Sequence, residues 1–192
     1  AMYYACTGST CTATALALAQ QVTNPVAALG TDNNGVVVSL PAVGAGGVTS
    51  LSGTLTLGIG TRANNALGSA ARYAANGNGH VTTVYKGTTL TASFIDSGSN
   101  GMFFNDTSLP VCSRSPGFYC PATPQNLSAT VMAYDGSASG SVVFTIESID
   151  AMSNATVAGR VGGPYDSKHN SANAFDWGLP FFFGRKVYIG ME

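Results

Sequence analysis

Ser93-Phe94-Ile95-Asp96-Ser97-Gly98-Ser99-Asn100-Gly101-Met102-Phe103-Phe104 carries an apolar β pattern into a tight turn and out again into an apolar run. Phe94 and Ile95 lead into Asp96, and Ser97-Gly98-Ser99 supplies the small, hydrogen-bonding residues that turns favour. A carboxylate at the end of a buried strand needs nearby donors, because an unpaired buried charge is costly. Backbone N–H groups and serine hydroxyls meet that need, and burial together with local donors sets a carboxylate's pKa. An Asp-Ser-Gly string is in itself an ordinary turn, so its weight depends on its surroundings.

Those surroundings are β-type in both directions. Upstream, residues 36–40 follow the turn Asp32-Asn33-Asn34-Gly35, and residues 53–59 set Leu55, Leu57 and Ile59 against Thr54, Thr56 and Gly58, the period of a half-buried strand. Strands are also expected over 70–75, 81–85 and 88–96, with Asn76-Gly77-Asn78-Gly79 and Lys86-Gly87 as the turns between them. Downstream, further strands are expected over 101–104, 127–134, 141–146 and 186–189. Short strands separated by turns at this spacing predict an all-β, mainly antiparallel sandwich or barrel. Helix is expected only near the start, over 14–21 and for one turn after Pro25. The chain divides into a disulfide loop with a short helix over 1–30 and a single β unit over 31–192. Residues 105–124 and 159–174 are expected to be surface loops.

Of the 192 residues only 9% are charged and the net charge is −1, against about 25% charged in an average domain. Nucleic-acid binding draws on clustered basic residues, so this composition argues against it. The polar surface is left to 20 Thr, 19 Ser and 24 Gly. No apolar run reaches the ~18 residues of a membrane span. The apolar stretch 13–22 lacks the basic leader of a signal peptide, so export implies a leader already removed. Cys6 and Cys11, and Cys112 and Cys120, form two local pairs. Of the three connectivities open to four cysteines, local pairing is the easiest to form, and disulfides favour a periplasmic or extracellular setting. The alternative, zinc, requires tighter spacing and nearby histidines. No metal or cofactor is expected.

Phe94-Ile95-Asp96-Ser97-Gly98-Ser99 resembles, position by position, the apolar-apolar-Asp-Thr/Ser-Gly-Ser/Thr motif of the C-terminal lobe of pepsin-like aspartic proteases. The segment from Phe175-Asp176-Trp177-Gly178 to Tyr188 resembles the family's later apolar-apolar-Gly step, with Asp176 standing where an apolar side chain is usual. Residues 26–29, 32–35, 57–60 and 79–88 resemble the inter-lobe helix, entry strands and hairpin of that lobe. Thr31-Asp32-Asn33-Asn34-Gly35, residues 94–101 and residues 177–185 are also similar to an uncharacterised family of exported proteobacterial proteins, a domain of unknown function with a pepsin-like plan.

The resemblance implies an acid-protease-like β-barrel lobe in which Asp96 is one of two carboxylates that share a proton and activate water. Ser97 would reach the partner lobe, Gly98 would donate its N–H, and Ser99 would donate to the outer oxygen of Asp96. Gly101, Phe103, Trp177 and Gly178 would face substrate or partner. Two nearby acids are needed because repulsion then keeps one protonated while the other acts as base. The chain shows one such motif, since Tyr134-Asp135-Gly136-Ser137 lacks the order and the apolar lead. The second acid is therefore expected from an upstream Asp-bearing lobe or a second copy of the chain, with a peptide as substrate. The opening Ala1-Met2-Tyr3-Tyr4 resembles the end of a first lobe, which suggests a fragment of a two-lobed protein. A different class of function is a non-catalytic exported β-module that binds a protein or peptide. His80 and His169 lie in loop-like stretches, and neither a nucleophile elbow nor a dinucleotide fingerprint is complete. The rings of Phe103, Phe104, Trp177, Phe181, Phe182 and Phe183 are expected to pack as core beneath the turn.

Overall fold

A computed structural model describes residues 3–152, 155–165 and 173–191. His169 lies outside the described residues, as does part of the loop expected over 159–174. The strands are β1 (Tyr3–Thr7), β2 (Thr10–Thr14), β3 (Gly35–Leu40), β4 (Thr54–Leu57), β5 (Val81–Tyr85), β6 (Thr88–Ile95), β7 (Met102–Phe103), β8 (Gln125–Met132), β9 (Ser139–Ile146), β10 (Gly162–Gly163), β11 (Asp176–Trp177) and β12 (Arg185–Gly190). The protein is all-β. Seven strands form one mixed sheet in the order β10-β7-β11-β6-β5-β8-β9, which curls into a nearly closed barrel. A three-stranded sheet, β12-β3-β4, and the hairpin β1-β2 complete the topology.

The barrel core follows from strand alternation. Val81, Thr83 and Tyr85 of β5, and Ala129 and Val131 of β8, turn inward. They meet an aromatic stack in which Phe175 lies 4.7 Å from Phe104 and 4.1 Å from Trp177, ring centre to ring centre, with Phe144 edge-on to all three. Such offset and edge contacts add to the large area each ring removes from water. The Trp177 indole N–H donates to Thr83 Oγ1 at 2.9 Å, with both side chains fully buried, so the one polar atom of the ring is satisfied. Phe104, Trp177 and Phe182 are core as expected, whereas Phe103, Phe181 and Phe183 are only half-buried.

Several expectations are corrected. The helix expected over 14–21 shrinks to a single 3-10 turn at Leu18–Gln20. Its flanking residues are largely exposed, and so short a helix needs an apolar face to bury. After Pro25 there is one turn, in which Ala28 N donates to Asn24 O. Residues 70–75 form no strand. They run alongside the barrel with a single bond from Tyr134 N to Ala74 O, and no ladder follows it. Leu55 and Leu57 face outward, because they pair with Val38 and Val36 on the face of β3 opposite buried Val37. The hairpin β1-β2 replaces a plain disulfide loop, with Cys6 opposite Cys11 across the strands. The loops expected over 105–124 and 159–174 are not wholly superficial. Leu109, Cys112, Tyr119, Val161 and Ala174 are buried, and β10 and β11 emerge from or beside the second loop to fill the sheet.

Candidate functional site

β6 runs through the middle of the seven-stranded sheet and ends at Ile95, and Asp96 begins the turn beyond it. The turn closes on its own carboxylate: Gly98 N–H donates to Asp96 Oδ1 at 2.7 Å, and the Ser99 hydroxyl donates to Asp96 Oδ2 at 2.7 Å. Asp96 is half-buried, while Ser97 is exposed.

β11 fixes that turn from the side. It runs parallel to β6, with Asp176 opposite Phe94 and Trp177 opposite Ile95, and Asp96 N–H donates to Trp177 O at 3.0 Å. Leu179 N–H then donates to Ser99 O at 2.7 Å. Between these two bonds sits Gly178, whose position leaves no room for a side chain, since a Cβ there would lie 2.0 Å from Gly101 O. Close approach of backbone to backbone is a standard reason for glycine. Asp96, Gly98, Ser99, Gly101, Trp177 and Gly178 therefore form one contiguous unit. Within it Trp177 points into the core, not toward a binding face.

Period-two alternation determines what shares a face with Asp96. Phe94 and Asp96 lie on one side of β6. Asp176 pairs with Phe94 in parallel register and with Phe103 of β7 in antiparallel register, so all four side chains emerge together. Around them stand Tyr165, 6.4 Å from the Phe94 ring; His80, 6.5 Å from it; and Phe118, 5.9 Å from the Phe103 ring. These rings are half-buried. Two carboxyl groups thus sit within a collar of aromatic side chains. A cavity of about 160 Å³ lies elsewhere, lined by Ala42, Val143, Phe144, Arg160 and Phe181 among others, and includes neither acid.

Asp176 is the residue that sequence reasoning left out of the site. It is 5% exposed, and its Oδ1 has no hydrogen-bond partner. Burial pushes its carboxyl up to about 6, the Ser99 hydroxyl opposes that rise, and the neighbouring Asp96 adds to it. Burial, and to a lesser degree the same carboxyl, raises the Tyr165 phenol. A signal was present in the sequence: an acid interrupts the apolar run between Phe175 and Trp177, where nothing in a strand pattern calls for a charge.

Both cysteine pairs are bonded, Cys6–Cys11 and Cys112–Cys120. The second loop serves the site directly. It carries Phe118 to the collar and Tyr119 to the core, where the Tyr119 hydroxyl donates to Phe104 O and accepts from Asp106 N. Among the described residues no group of three or more His, Cys, Asp or Glu side chains could hold a metal ion, and no helix is long and apolar enough to cross a membrane.

No curated protein and no solved structure is significantly similar to the chain. A family model described as "Protein of unknown function (DUF3443)" matches residues 1–192, from one end of the sequence to the other. The chain belongs to the DUF3443 family.

Proposed function

We propose that this protein is one lobe of an aspartic-endopeptidase-like site of pepsin-like plan. It supplies Asp96 to a pair of acids completed by an upstream Asp-bearing lobe or by a second copy of the chain. The observation that carries this reading is the unit around Asp96: a strand-end carboxylate bonded by Gly98 N–H and Ser99 Oγ, locked beneath the Trp177–Gly178 crossing. A base that activates water must be held still and half-exposed, and this unit does both. The half-buried rings of Phe94, Phe103 and Phe118 offer apolar walls for peptide side chains. Leu55, Leu57 and Ile189 lie exposed on one face of the β12-β3-β4 sheet, a surface suited to packing against another lobe. Two disulfides accord with export to an oxidising compartment.

The test is cleavage of an unfolded protein substrate between pH 3 and 7 by the two-lobed protein or by the co-expressed lobes. Cleavage blocked by an aspartic-protease inhibitor, and reduced at least ~100-fold by Asp96→Asn, is the expected result. If the assembled protein cleaves nothing across that range while retaining its fold, the chain is a non-catalytic exported module that uses the aromatic collar to bind a partner.

A further inference from the structure

We propose that Asp96 and Asp176 form a carboxyl pair within this single chain, bridged by Ser99 and holding one proton between them, with Asp176 as the positioning residue that carries the proton. What this adds to the catalytic site rests on the function proposed above. The pair itself does not.

Ser99 has one O–H, and it is committed to Asp96 Oδ2 at 2.7 Å. Asp176 emerges on the same face, 5% exposed, with Oδ1 buried and unpartnered. An ionised carboxylate is an acceptor only, so an ionised Asp176 would be a buried anion with no donor on Oδ1 and a second carboxyl beside it, a costly arrangement. Protonation removes both penalties. The neutral carboxyl gains an O–H that the lone pairs of Ser99 Oγ can accept, and the hydrogen bonds then run in one direction, from Asp176 to Ser99 to Asp96. In a relay along this line, Ser99 accepts the Asp176 proton and passes its own hydrogen to Asp96 Oδ2. Asp176 ends as the carboxylate and Asp96 as the acid, with no other reactant.

The groups facing Asp176 fit this assignment. β6 contributes Phe94, with His80 beyond it, the turn after β6 contributes Asp96 and Ser99, β7 contributes Phe103, and the segment after β10 contributes Tyr165. Among the described residues no cation is paired with Asp176. Ion pairs among those residues are Arg62–Asp32, Lys86–Asp106 and Arg160–Glu147. With no counter-charge among the described residues, a proton is what neutralises it.

The experiment is a carboxyl ¹³C NMR titration of the full chain, labelled at aspartate, from pH 3 to 8. In the wild type the Asp176 signal should titrate at least one pH unit above the exposed aspartates, and the Asp96 signal should show a second inflection at the Asp176 midpoint. Asp176→Asn should abolish that second inflection. Ser99→Ala should move the Asp176 midpoint down, because the neutral carboxyl loses the hydroxyl oxygen that accepts its proton. Asp176 ionising together with the exposed aspartates, or an Asp96 curve unchanged by Asp176→Asn, overturns the proposal. None of these signals depends on peptide cleavage, so failure of the pair and failure of the peptidase reading are separate results.

Discussion

A single acid at position 176 makes the folded protein pH-sensitive in a window where most aspartates are silent. The Asp176 carboxyl rises from the ordinary 3.8 to about 6, chiefly through burial. Between those values the native state holds a proton that the unfolded chain has released, so stability falls as pH rises from about 4 to about 6 and levels off above. The full shift corresponds to roughly 3 kcal/mol. Asp176→Asn keeps the shape of the side chain and removes the ionisation. It should raise the unfolding free energy at pH 7 by about 1–3 kcal/mol, with no gain at pH 4. Urea unfolding at pH 4, 5, 6 and 7 measures this directly, and parallel profiles for the two proteins would contradict it. Asp96 and its turn were legible from the sequence because motif, turn chemistry and apolar lead coincide within six residues. Asp176 was visible only as a departure from an apolar pattern. Its neighbour is set by the parallel pairing of β11 with β6 across 82 residues of sequence, as in the Phe175 N to Ser93 Oγ bond, and no local signal encodes that distance.

The element most exposed to the opposite pH effect is the segment leaving β7. Burial would raise the Asp106 carboxyl, but hydrogen bonds from Lys86, Tyr85 and Ser108 outweigh it and hold the group down at about 2. Lys86 Nζ lies 2.8 Å and the Tyr85 hydroxyl 2.5 Å from Asp106 Oδ2, so the turn joining β5 to β6 is tied to the segment that precedes the disulfide loop. The phenol of Tyr85 is pushed up by burial and by the adjacent carboxylate, and therefore stays a donor. Because the folded pKa is depressed, the stabilisation is fully present above about 4 and is lost as pH falls toward 2. Asp106→Asn should cost about 1–3 kcal/mol at pH 7, a difference that narrows as the wild type is acidified through this window. A thermal unfolding series from pH 2 to 7 tests it, and a constant difference across the series would refute it. Element boundaries divide along the same physical line as the residues. β3, β5, β6, β8, β9 and β12, five to eight residues each, announce themselves as β-type runs between turn signals. β10 and β11, two residues each, exist because neighbours already in place offer them hydrogen bonds. The 14–21 segment shows the converse, an Ala-rich pattern with no surface to bury against.

At the scale of the molecule, the two disulfides have unequal consequences although both close short loops. Cys6–Cys11 staples the hairpin β1-β2, whose residues are almost all exposed. Its loss loosens a local unit that contributes nothing to the barrel core, and stability is not uniform across such a structure. Cys112–Cys120 closes a loop that inserts Tyr119 into the aromatic core and sets Phe118 against Phe103 at the collar. Opening it frees a segment of the denatured chain worth about 2–3 kcal/mol in loop entropy, and it also releases the residues that connect core to site. Cys6→Ala with Cys11→Ala should therefore leave the main thermal transition within about 0.5 kcal/mol of wild type. Cys112→Ala with Cys120→Ala should lower it by about 2–4 kcal/mol. The second pair should also weaken whatever the aromatic collar binds, through displacement of Phe118. Calorimetry of the two double variants against the wild type decides the matter. Equal losses would mean that the hairpin belongs to the cooperative core, and no loss from the second pair would mean that Tyr119 and its hydrogen bonds hold the loop without covalent help.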